Sequence, residues 1–372
     1  MKCGDAEKMQ TESKRDLMLD IAKGLGMVIV VLFHAEILSG VWTQFHMPLF
    51  AFLSGLLYRE KYNTELNQVW NYTKKKIKGC YVPFLTYNFV FLLLHNLLYK
   101  IHIYGELSNQ KYYNGKDFVH QIIAIATMGG GESLPGPMWY LIAMLEFTIL
   151  YACIRFGISK YVIDENKANI YVMIVCVCLM LLGFSTIDLP RMLNRALVLL
   201  FWYHLGYMTH TYLEPQKGNI ENKKETVITA ALSIGILIIG IRGGADWPRF
   251  SWIILPAGCA GIILTLDMAQ LVDKYTSKLK RCFVYIGQHT MFVLGTQYLG
   301  FKVGNMLQII FQGRNINWLE MYGVTEEENF GWKAIYFLCG ILIPLAIIKG
   351  KDTLTQCLKM RRYDGERQSK DM

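Results

Sequence analysis

Ionisable side chains stand inside the first two apolar runs of this sequence. Lys23 and His34 lie in the run that begins near Leu17, and His46 opens the next run, FHMPLFAFLSG. A protonatable side chain is costly within a bilayer, so such residues usually face a bundle interior or a water-filled cavity and work there. Lys23 and His34 are about three helical turns and roughly 16 Å apart along one helix. Because they share one face at two depths, their spacing predicts a site reached from both sides of a membrane.

The types of these residues indicate proton transfer beside a binding site for an anion. His34 lies on the stripe Lys23, Met27, Val30, His34, and a histidine is the side chain best suited to take a proton from a hydroxyl near neutral pH. The simpler alternative is a histidine bonded to a neighbouring carbonyl, which we favour less in a membrane segment that also carries a lysine. Asp20 precedes Lys23 by three residues and predicts an ion pair across one turn. Such a pair is compatible with Lys23 holding an anionic ligand.

His46 is the second histidine that the pattern places near this site. Pro48 falls in the first turn of the second apolar segment, where a proline is tolerated, so His46 lies at the mouth of that helix. His34 and His46 are therefore expected at the same membrane surface, at one end of adjacent helices. We interpret the two histidines as parts of one site.

The composition indicates which class of protein must position these residues. Of the 372 residues, 53% are hydrophobic and 18% are charged, against about 25% charged in a soluble domain. The hydrophobic residues form long blocks, which predicts an integral membrane protein in a lipid bilayer. The net charge of +9 suggests a nucleic-acid partner, but the basic residues cluster in short connectors, where they orient the chain in the membrane. No nucleic-acid partner is expected.

The apolar segments predict an all-α, polytopic integral membrane fold with about ten transmembrane helices. Lys and Arg predominate in alternate connectors, which places both termini in the cytoplasm. In this arrangement Arg155 belongs to an inner connector and Lys302 to an outer loop. The predicted divisions are a cytoplasmic tail (1–15), a membrane domain (16–349) and a basic cytoplasmic tail (350–372). The predicted spans are 16–36, 42–58, 80–99, 139–155, 170–184, 194–212, 226–241, 250–268, 283–300 and 332–348.

Three further features are interpreted as structural. The piece FVHQIIAIATM is too short to cross a bilayer, and GGGESLPGPM lacks the preceding strand of a phosphate-binding motif and is predicted to be a loop. No cleavable signal peptide is expected at the N-terminus. Cys176 and Cys178 form a CxC within an apolar run, which predicts that they are buried apolar packing residues. We expect no metal site and no bound cofactor.

Six motifs spread over nearly the whole chain carry a likeness to a known family. They are RDLMLDIAKGLGMVIVVLFH, with its basic-x10-His spacing, FHMPLFAFLSG, KKKIKGCYVPF, PMWYLIAM, LFWYHLGY and YIGQHTMFVL. Together they resemble acyltransferase family 3, the bacterial integral-membrane O-acyltransferases that include fucose 4-O-acetylase-like enzymes. The resemblance implies transfer of an acyl group, commonly acetyl, from cytoplasmic acyl-CoA as co-substrate to a hydroxyl of a cell-envelope or exported glycan. It also implies a multi-pass protein of the bacterial plasma (inner) membrane.

The resemblance also implies roles for individual residues. His34 would carry the central catalytic role, as base or as covalent acyl carrier, while Lys23 belongs to the same motif and His46 to the second one. Gln297 stands where the family often has a histidine, and His204 stands where an aromatic residue is usual. No esterase-like domain follows the last predicted span, so the chain is expected to acylate its acceptor directly or to pass the group to a separate protein.

The expected route of the acyl group runs from the inner to the outer surface. Acyl-CoA is polyanionic and would dock on basic inner residues, although orienting the chain is the simpler role for them. These residues are Lys74, Lys75, Lys76 and Lys78. At the outer surface, aromatic rings would stack on the acceptor sugar or belong to the interfacial aromatic belt, and cations would hold an anionic acceptor or meet headgroups. The acceptor candidates are Trp139, Tyr140, Arg191 and Arg195.

A transporter or flippase of a lipid-linked sugar is the main alternative. Intramembrane Asp, Lys and His residues would then serve as a proton relay or a substrate site. A non-enzymatic sensor or scaffold is disfavoured, because it has little need of costly buried charge. The motif set places acyl transfer ahead of both.

Overall fold

The computed structural model describes residues 3–213, 223–242, 253–275, 277–324 and 329–368. Within these ranges every regular element is helical, as predicted. The fourteen α-helices are α1 (Cys3–His34), α2 (Ser39–Trp42), α3 (His46–Leu56), α4 (Leu66–Lys76), α5 (Val82–Lys100), α6 (Gly115–Ala126), α7 (Trp139–Ser159), α8 (Glu165–Gly183), α9 (Leu193–Met208), α10 (Lys223–Arg242), α11 (Ile254–Tyr275), α12 (Ser277–Gln288), α13 (Thr290–Gln312) and α14 (Phe330–Gln368).

Helix α1 lies at the centre of the bundle. It packs most extensively on α12 and also contacts α11, α3, α13 and α14. Apolar residues on several sides of α1 make this possible, because Ile21, Ala22 and Val31 are completely buried. A helix that is apolar all round is normally buried, so the sequence of α1 accounts for its central position.

The crossing of α1 and α12 depends on two glycines. A Cβ at Gly24 would collide with the carbonyl oxygen of Phe283 in α12, and a Cβ at Gly287 would collide with the carbonyl oxygen of Asp20 in α1. Small residues let two membrane helices approach until their backbones touch. This contact holds the beginning of the predicted catalytic stripe against α12.

Six helical segments of the described ranges are long and apolar enough to cross a membrane, which supports a multi-pass membrane protein. They are Leu17–His34, Leu66–Lys100, Gly136–Ser159, Glu165–Gly183, Ile254–Lys274 and Phe330–Thr355, and Val227–Arg242 is a shorter apolar helix. The segment before α5 was predicted to be a connector; it forms α4 and continues through the π-turn Ile77–Tyr81 into α5. The full set of ten spans stays a prediction, as does the cytoplasmic location of the termini.

Two predicted spans have a different local structure. The second, 42–58, contains the 11-residue helix α3, which is shorter than the about 20 residues that cross a bilayer. The ninth, 283–300, is interrupted at His289, where α12 ends and α13 begins. The start of the eighth, at residue 250, lies outside the described residues. Periodicity locates apolar runs but does not reveal such breaks.

The structure confirms that GGGESLPGPM is a loop. Its one regular element is the 3-10 turn Gly136–Met138, directly before α7. The preceding apolar piece forms the 12-residue helix α6, which begins after an Asn114 side chain that accepts from the backbone N–H groups of Lys116 and Asp117. Helix α6 is too short to cross a bilayer, in agreement with the sequence.

The assignment of Lys302 to an outer loop was wrong. Lys302 lies within α13, where its side chain is buried. Its Nζ donates to the carbonyl oxygens of Leu319 at 2.8 Å and Met321 at 2.7 Å. A buried cation needs such partners. The fold supplies them from Leu319 in the 3-10 turn Ile316–Glu320 and from Met321 directly after it. The same face of α13 also buries Gln297, Asn305 and Gln308.

We expect Lys302→Met to destabilise the protein. The two carbonyl oxygens would lose their donor, and breaking a buried charged contact from one side typically costs about 3 kcal/mol or more. Thermal unfolding of the purified protein in detergent measures the change, with exposed Lys100→Met as the control. Equal melting temperatures for the two variants would contradict the structural role of Lys302.

Arg155 is likewise buried and does not lie in an inner connector, because α7 continues to Ser159. One Nη donates to Asn169, and the other donates to Glu165 at 2.5 Å and to the Tyr207 hydroxyl at 3.0 Å. The predicted span 139–155 therefore ended one turn too early. The ion pair with Glu165 joins α7 to the first turn of α8.

Candidate functional site

His34 is the last residue of α1 and lies against α13. Its Nδ1 is 3.0 Å from the hydroxyl oxygen of Tyr298, a buried residue of α13, and the side chain of His34 is partly exposed. With Nδ1 donating to Tyr298, the Nε2 lone pair is left to accept a proton. An imidazole oriented through one nitrogen while the other stays open is suited to general base catalysis.

His46 lies beside His34, as the sequence predicts. Nδ1 of His46 donates to the carbonyl oxygen of Trp42 at 2.7 Å. The Phe33 ring stacks on His46 with centroids 4.6 Å apart and meets the ring of His34 edge-on at 5.0 Å. The two histidines therefore flank one phenyl ring at the end of α1, which we call the His34 end of the bundle.

The predicted ion pair lies eleven residues before His34, towards the other end of the apolar segment Leu17–His34 of α1. We call this the Lys23 end. Lys23 Nζ lies 2.5 Å from Asp20 Oδ1. Gln288, the last residue of α12, donates from Nε2 to Asp20 Oδ2 at 3.1 Å. Asp20 thus links the Lys23 side chain to α12, and about a third of the Lys23 side chain stays exposed. The cation is oriented but can still reach a ligand.

An apolar cavity of about 80 Å³ lies on the α1 face between these two ends. Met27 and Val30, the middle residues of the predicted stripe, line it. Helix α3 contributes Met47 and Phe50, and α7 contributes Tyr140. The cavity thus occupies the level between Lys23 and His34, and Val30 lies one turn before His34.

A larger polar cavity of about 340 Å³ opens at the His34 end. Its wall includes Asn88, Glu132, Trp139 and Arg191. The wall also includes Gly136, where a Cβ would lie against the ring of Tyr298. The same Cβ would come closer still to the Tyr322 hydroxyl, and the Tyr322 ring packs edge-on against Tyr298. This wall of the cavity therefore lies next to Tyr298, the residue bonded to His34.

The structure separates two of the acceptor candidates. Trp139 lines the polar cavity, whereas the next residue, Tyr140, lines the apolar one. Arg191 joins Trp139 in the polar cavity and is held by its Nε, which donates to the carbonyl oxygen of Thr127 at 2.8 Å. The Arg195 guanidinium lies 4.3 Å from the ring centroid of Trp139. Three of the four candidates are therefore brought together, and Tyr140 is not.

The basic inner residues also divide into two groups. Lys74, Lys75 and Lys78 are exposed, whereas Lys76 turns inward and its Nζ lies 3.5 Å from the Ser54 hydroxyl of α3. Helix α3 runs opposite to α1, so Ser54 belongs to the Lys23 end. An open cavity of about 550 Å³ beyond the end of α3 adds further basic and aromatic residues. These include Arg59, Lys61, His210 and Tyr207.

A buried His95–Glu132 pair escaped the sequence analysis. His95 Nδ1 lies 2.8 Å from Glu132 Oε2, and Nε2 donates to the Lys111 carbonyl oxygen at 2.9 Å. The ring of Tyr113 stacks on His95 at 3.5 Å, and burial together with the Glu132 charge raises the pKa of Tyr113 to about 12. Glu132 also donates its backbone N–H to Asn88 Oδ1 at 2.8 Å. The pair therefore anchors the glycine-rich loop at the edge of the polar cavity.

Two signals in the sequence pointed towards the residues that were missed. His95 is an ionisable residue in a predicted span, which is the same argument that selected His34. Tyr298 follows Gln297, the position already noted as a departure from the family pattern. Nothing in the local pattern of either residue indicates its partner on another element.

Comparison with known protein families identifies the family of this chain. A family profile described as an acyltransferase domain matches residues 16–349. Comparisons with curated proteins and with solved structures find no match. The matched range begins before Asp20 and ends within α14, so it includes the site residues at both the Lys23 end and the His34 end. The chain belongs to acyltransferase family 3.

Proposed function

We propose that this acyltransferase moves a short acyl group from cytoplasmic acyl-CoA to a hydroxyl of a cell-envelope or exported glycan, in the plasma membrane of a bacterium. The observation that carries the proposal is the position of His34. It is oriented by Tyr298 and open at Nε2. It lies one helical turn after Val30 in the wall of the apolar cavity, and its partner Tyr298 lies next to Gly136 in the wall of the polar cavity. A donor and an acceptor can thus approach it from different cavities.

The Lys23 end fits the donor. CoA carries several phosphate charges, and cations bind phosphate through charge-assisted hydrogen bonds. Lys76 and Lys23 are partly buried at this end, while Lys74, Lys75 and Lys78 remain exposed at its edge. The open cavity that includes Arg59 and Lys61 is large enough for part of a nucleotide. Family membership supports acyl-CoA as the donor, and these contacts support this end as its entrance.

The polar cavity fits a sugar. Trp139 offers an aromatic face, Arg191 offers a guanidinium, and Asn88 and Glu132 offer an amide and a carboxylate. A ligand site of this kind combines one apolar surface with a few polar groups that fix orientation. The acceptor hydroxyl would approach His34 past Tyr298.

The transfer is a nucleophilic acyl substitution. Nε2 of His34 takes the proton of the acceptor hydroxyl as its oxygen attacks the thioester carbonyl carbon. The new C–O bond forms and the C–S bond breaks, so the acyl group leaves CoA for the sugar. The imidazolium returns the proton to the departing thiolate, which leaves as CoA. His46 donates to Trp42 and packs on Phe33, so its role is to position the His34 end.

Inside-out vesicles distinguish this function from transport. Vesicles that contain the protein are expected to move label from acetyl-labelled CoA onto the glycan, at a rate far above that of vesicles without it. Free CoA should appear in equal amount. Movement of unmodified glycan across the membrane without consumption of acetyl-CoA would overturn acyl transfer and support a flippase.

We expect Arg191→Gln to weaken acceptor binding. A hydrogen bond from a charged donor contributes about 1.5–3 kcal/mol, so the KM for the glycan should rise about tenfold or more while the KM for acetyl-CoA stays unchanged. Initial rates at varied concentrations of each substrate measure the two constants, with exposed Arg242→Gln of α10 as the control. A change confined to the acetyl-CoA constant would place Arg191 on the donor side.

A further inference from the structure

The hydroxyl of Tyr140 is buried without a hydrogen-bond partner among the described residues. Tyr140 is 4% exposed and lies in the first turn of α7. A buried polar group normally has a partner, and an orphaned one costs stability. An orphaned group in the wall of a cavity is therefore a sign that a ligand supplies the missing partner.

The wall that Tyr140 forms belongs to the apolar cavity on α1. Thr290 is the one other lining residue with a hydroxyl, and the Tyr140 hydroxyl makes no hydrogen bond to it. The remaining lining side chains, such as Met27, Val30 and Phe50, are apolar. The cavity lies one helical turn from His34, because Val30 precedes it by four residues, and Met47 directly follows His46. A ligand in this cavity would therefore combine an apolar tail with one hydrogen-bond acceptor near the histidines.

The size of the cavity limits the tail. A volume of about 80 Å³ accommodates roughly five to eight groups of the size of a water molecule. Acetyl, propionyl and butyryl groups fit this limit, and a fatty acyl chain does not. A short thioester has both required parts, since its carbonyl oxygen accepts a hydrogen bond and its alkyl group is apolar.

We propose that this cavity is the acyl site and that Tyr140 donates a hydrogen bond to the thioester carbonyl oxygen. The inference rests on the proposed function and adds a residue and a chain-length limit to it. As the acceptor oxygen attacks, negative charge develops on the carbonyl oxygen, and the phenol stabilises it while keeping its proton. Donors of this kind act mainly in the transition state.

Two variants of purified enzyme in proteoliposomes test the inference, with acetyl-CoA and octanoyl-CoA as donors. Tyr140→Phe should lower kcat about 100-fold with little change in KM, and its melting temperature should not fall, because no hydrogen bond is lost. Tyr151→Phe on the same helix is the matched control. Its hydroxyl is bonded to Nδ1 of His204 at 2.9 Å, so this variant should lose stability and keep kcat.

Met144→Ala enlarges the cavity one turn along α7 from Tyr140. It should raise the rate with octanoyl-CoA relative to acetyl-CoA at least tenfold. If the wild-type enzyme transfers acetyl but Tyr140→Phe has a kcat within twofold of wild type, the inference is overturned and the proposed function stands. An unchanged chain-length preference in Met144→Ala would have the same consequence. Wild-type enzyme that transfers no acyl group would overturn the proposed function and the inference with it.

Discussion

Replacing His34 by Gln should abolish acyl transfer while leaving the fold intact. The base that accepts the hydroxyl proton would be lost, and general base catalysis contributes about 10²–10⁴-fold to rate. Gln can still hydrogen-bond the Tyr298 hydroxyl, so the contact between α1 and α13 is kept. We therefore expect a loss of about 10³-fold in kcat with an unchanged melting temperature, measured as transfer of labelled acetyl to the glycan.

Two further variants make this result specific. His120 is an exposed histidine of α6, and His120→Gln should retain full activity. Tyr298→Phe removes the group that orients His34 but keeps the base, so a loss of about tenfold is expected. Equal labelling of the glycan by wild type and His34→Gln would exclude His34 as the base.

Adding one methyl group at the crossing of α1 and α12 should strongly destabilise the protein. In Gly24→Ala the new Cβ would meet the backbone carbonyl of Phe283, which cannot move aside as a flexible side chain could. Over-packing of this kind costs up to about 3 kcal/mol. The helices must separate, and Asp20 would then lose its hydrogen bond from Gln288. A fall in melting temperature in detergent, accompanied by weaker acyl-CoA binding, is the expected result.

Gly157→Ala is the matched control for this prediction. Gly157 lies in α7, and a Cβ there would meet no atom within 4 Å. Because alanine favours a helix over glycine by up to about 1 kcal/mol, this variant should be as stable as wild type or more so. Gly287→Ala disturbs the same crossing as Gly24→Ala. The loss of stability in the double variant should therefore be smaller than the sum of the two single losses. A stable Gly24→Ala protein would show that the two backbones are not in contact.

The Lys23–His34 stripe could be predicted because it depends on local geometry. Helical periodicity fixes which side chains share a face, so the stripe and the Asp20–Lys23 ion pair follow from spacing alone. The all-helical class and the loop before α7 could be predicted for the same reason, since glycine and proline interrupt a helix at their own positions. The match to the family supplied the reaction class, which no spacing could provide.

The breaks in the predicted spans could not be read from apolar runs. Hydropathy sums a window of residues and does not register a single residue such as His289, where α12 ends and α13 begins. The assignment of Lys302 to an outer loop failed for a related reason. A lysine in a long apolar stretch is interpreted as the end of a membrane span. In this fold two backbone carbonyl oxygens accept hydrogen bonds from Lys302 and so compensate for the burial of its charge.

The sequence by itself determined the helical class, the residues of the α1 stripe and the ion pair at its Lys23 end. Only the tertiary structure decided that Tyr298, 264 positions away, orients His34. It likewise placed Trp139 and Tyr140 in different cavities and paired His95 with Glu132. The reason is physical: neighbours along a helix are fixed by its pitch, whereas partners on other helices are chosen by how closely the helices cross. At α1 that distance is set by the contact of Gly24 and Gly287 with the opposing backbones.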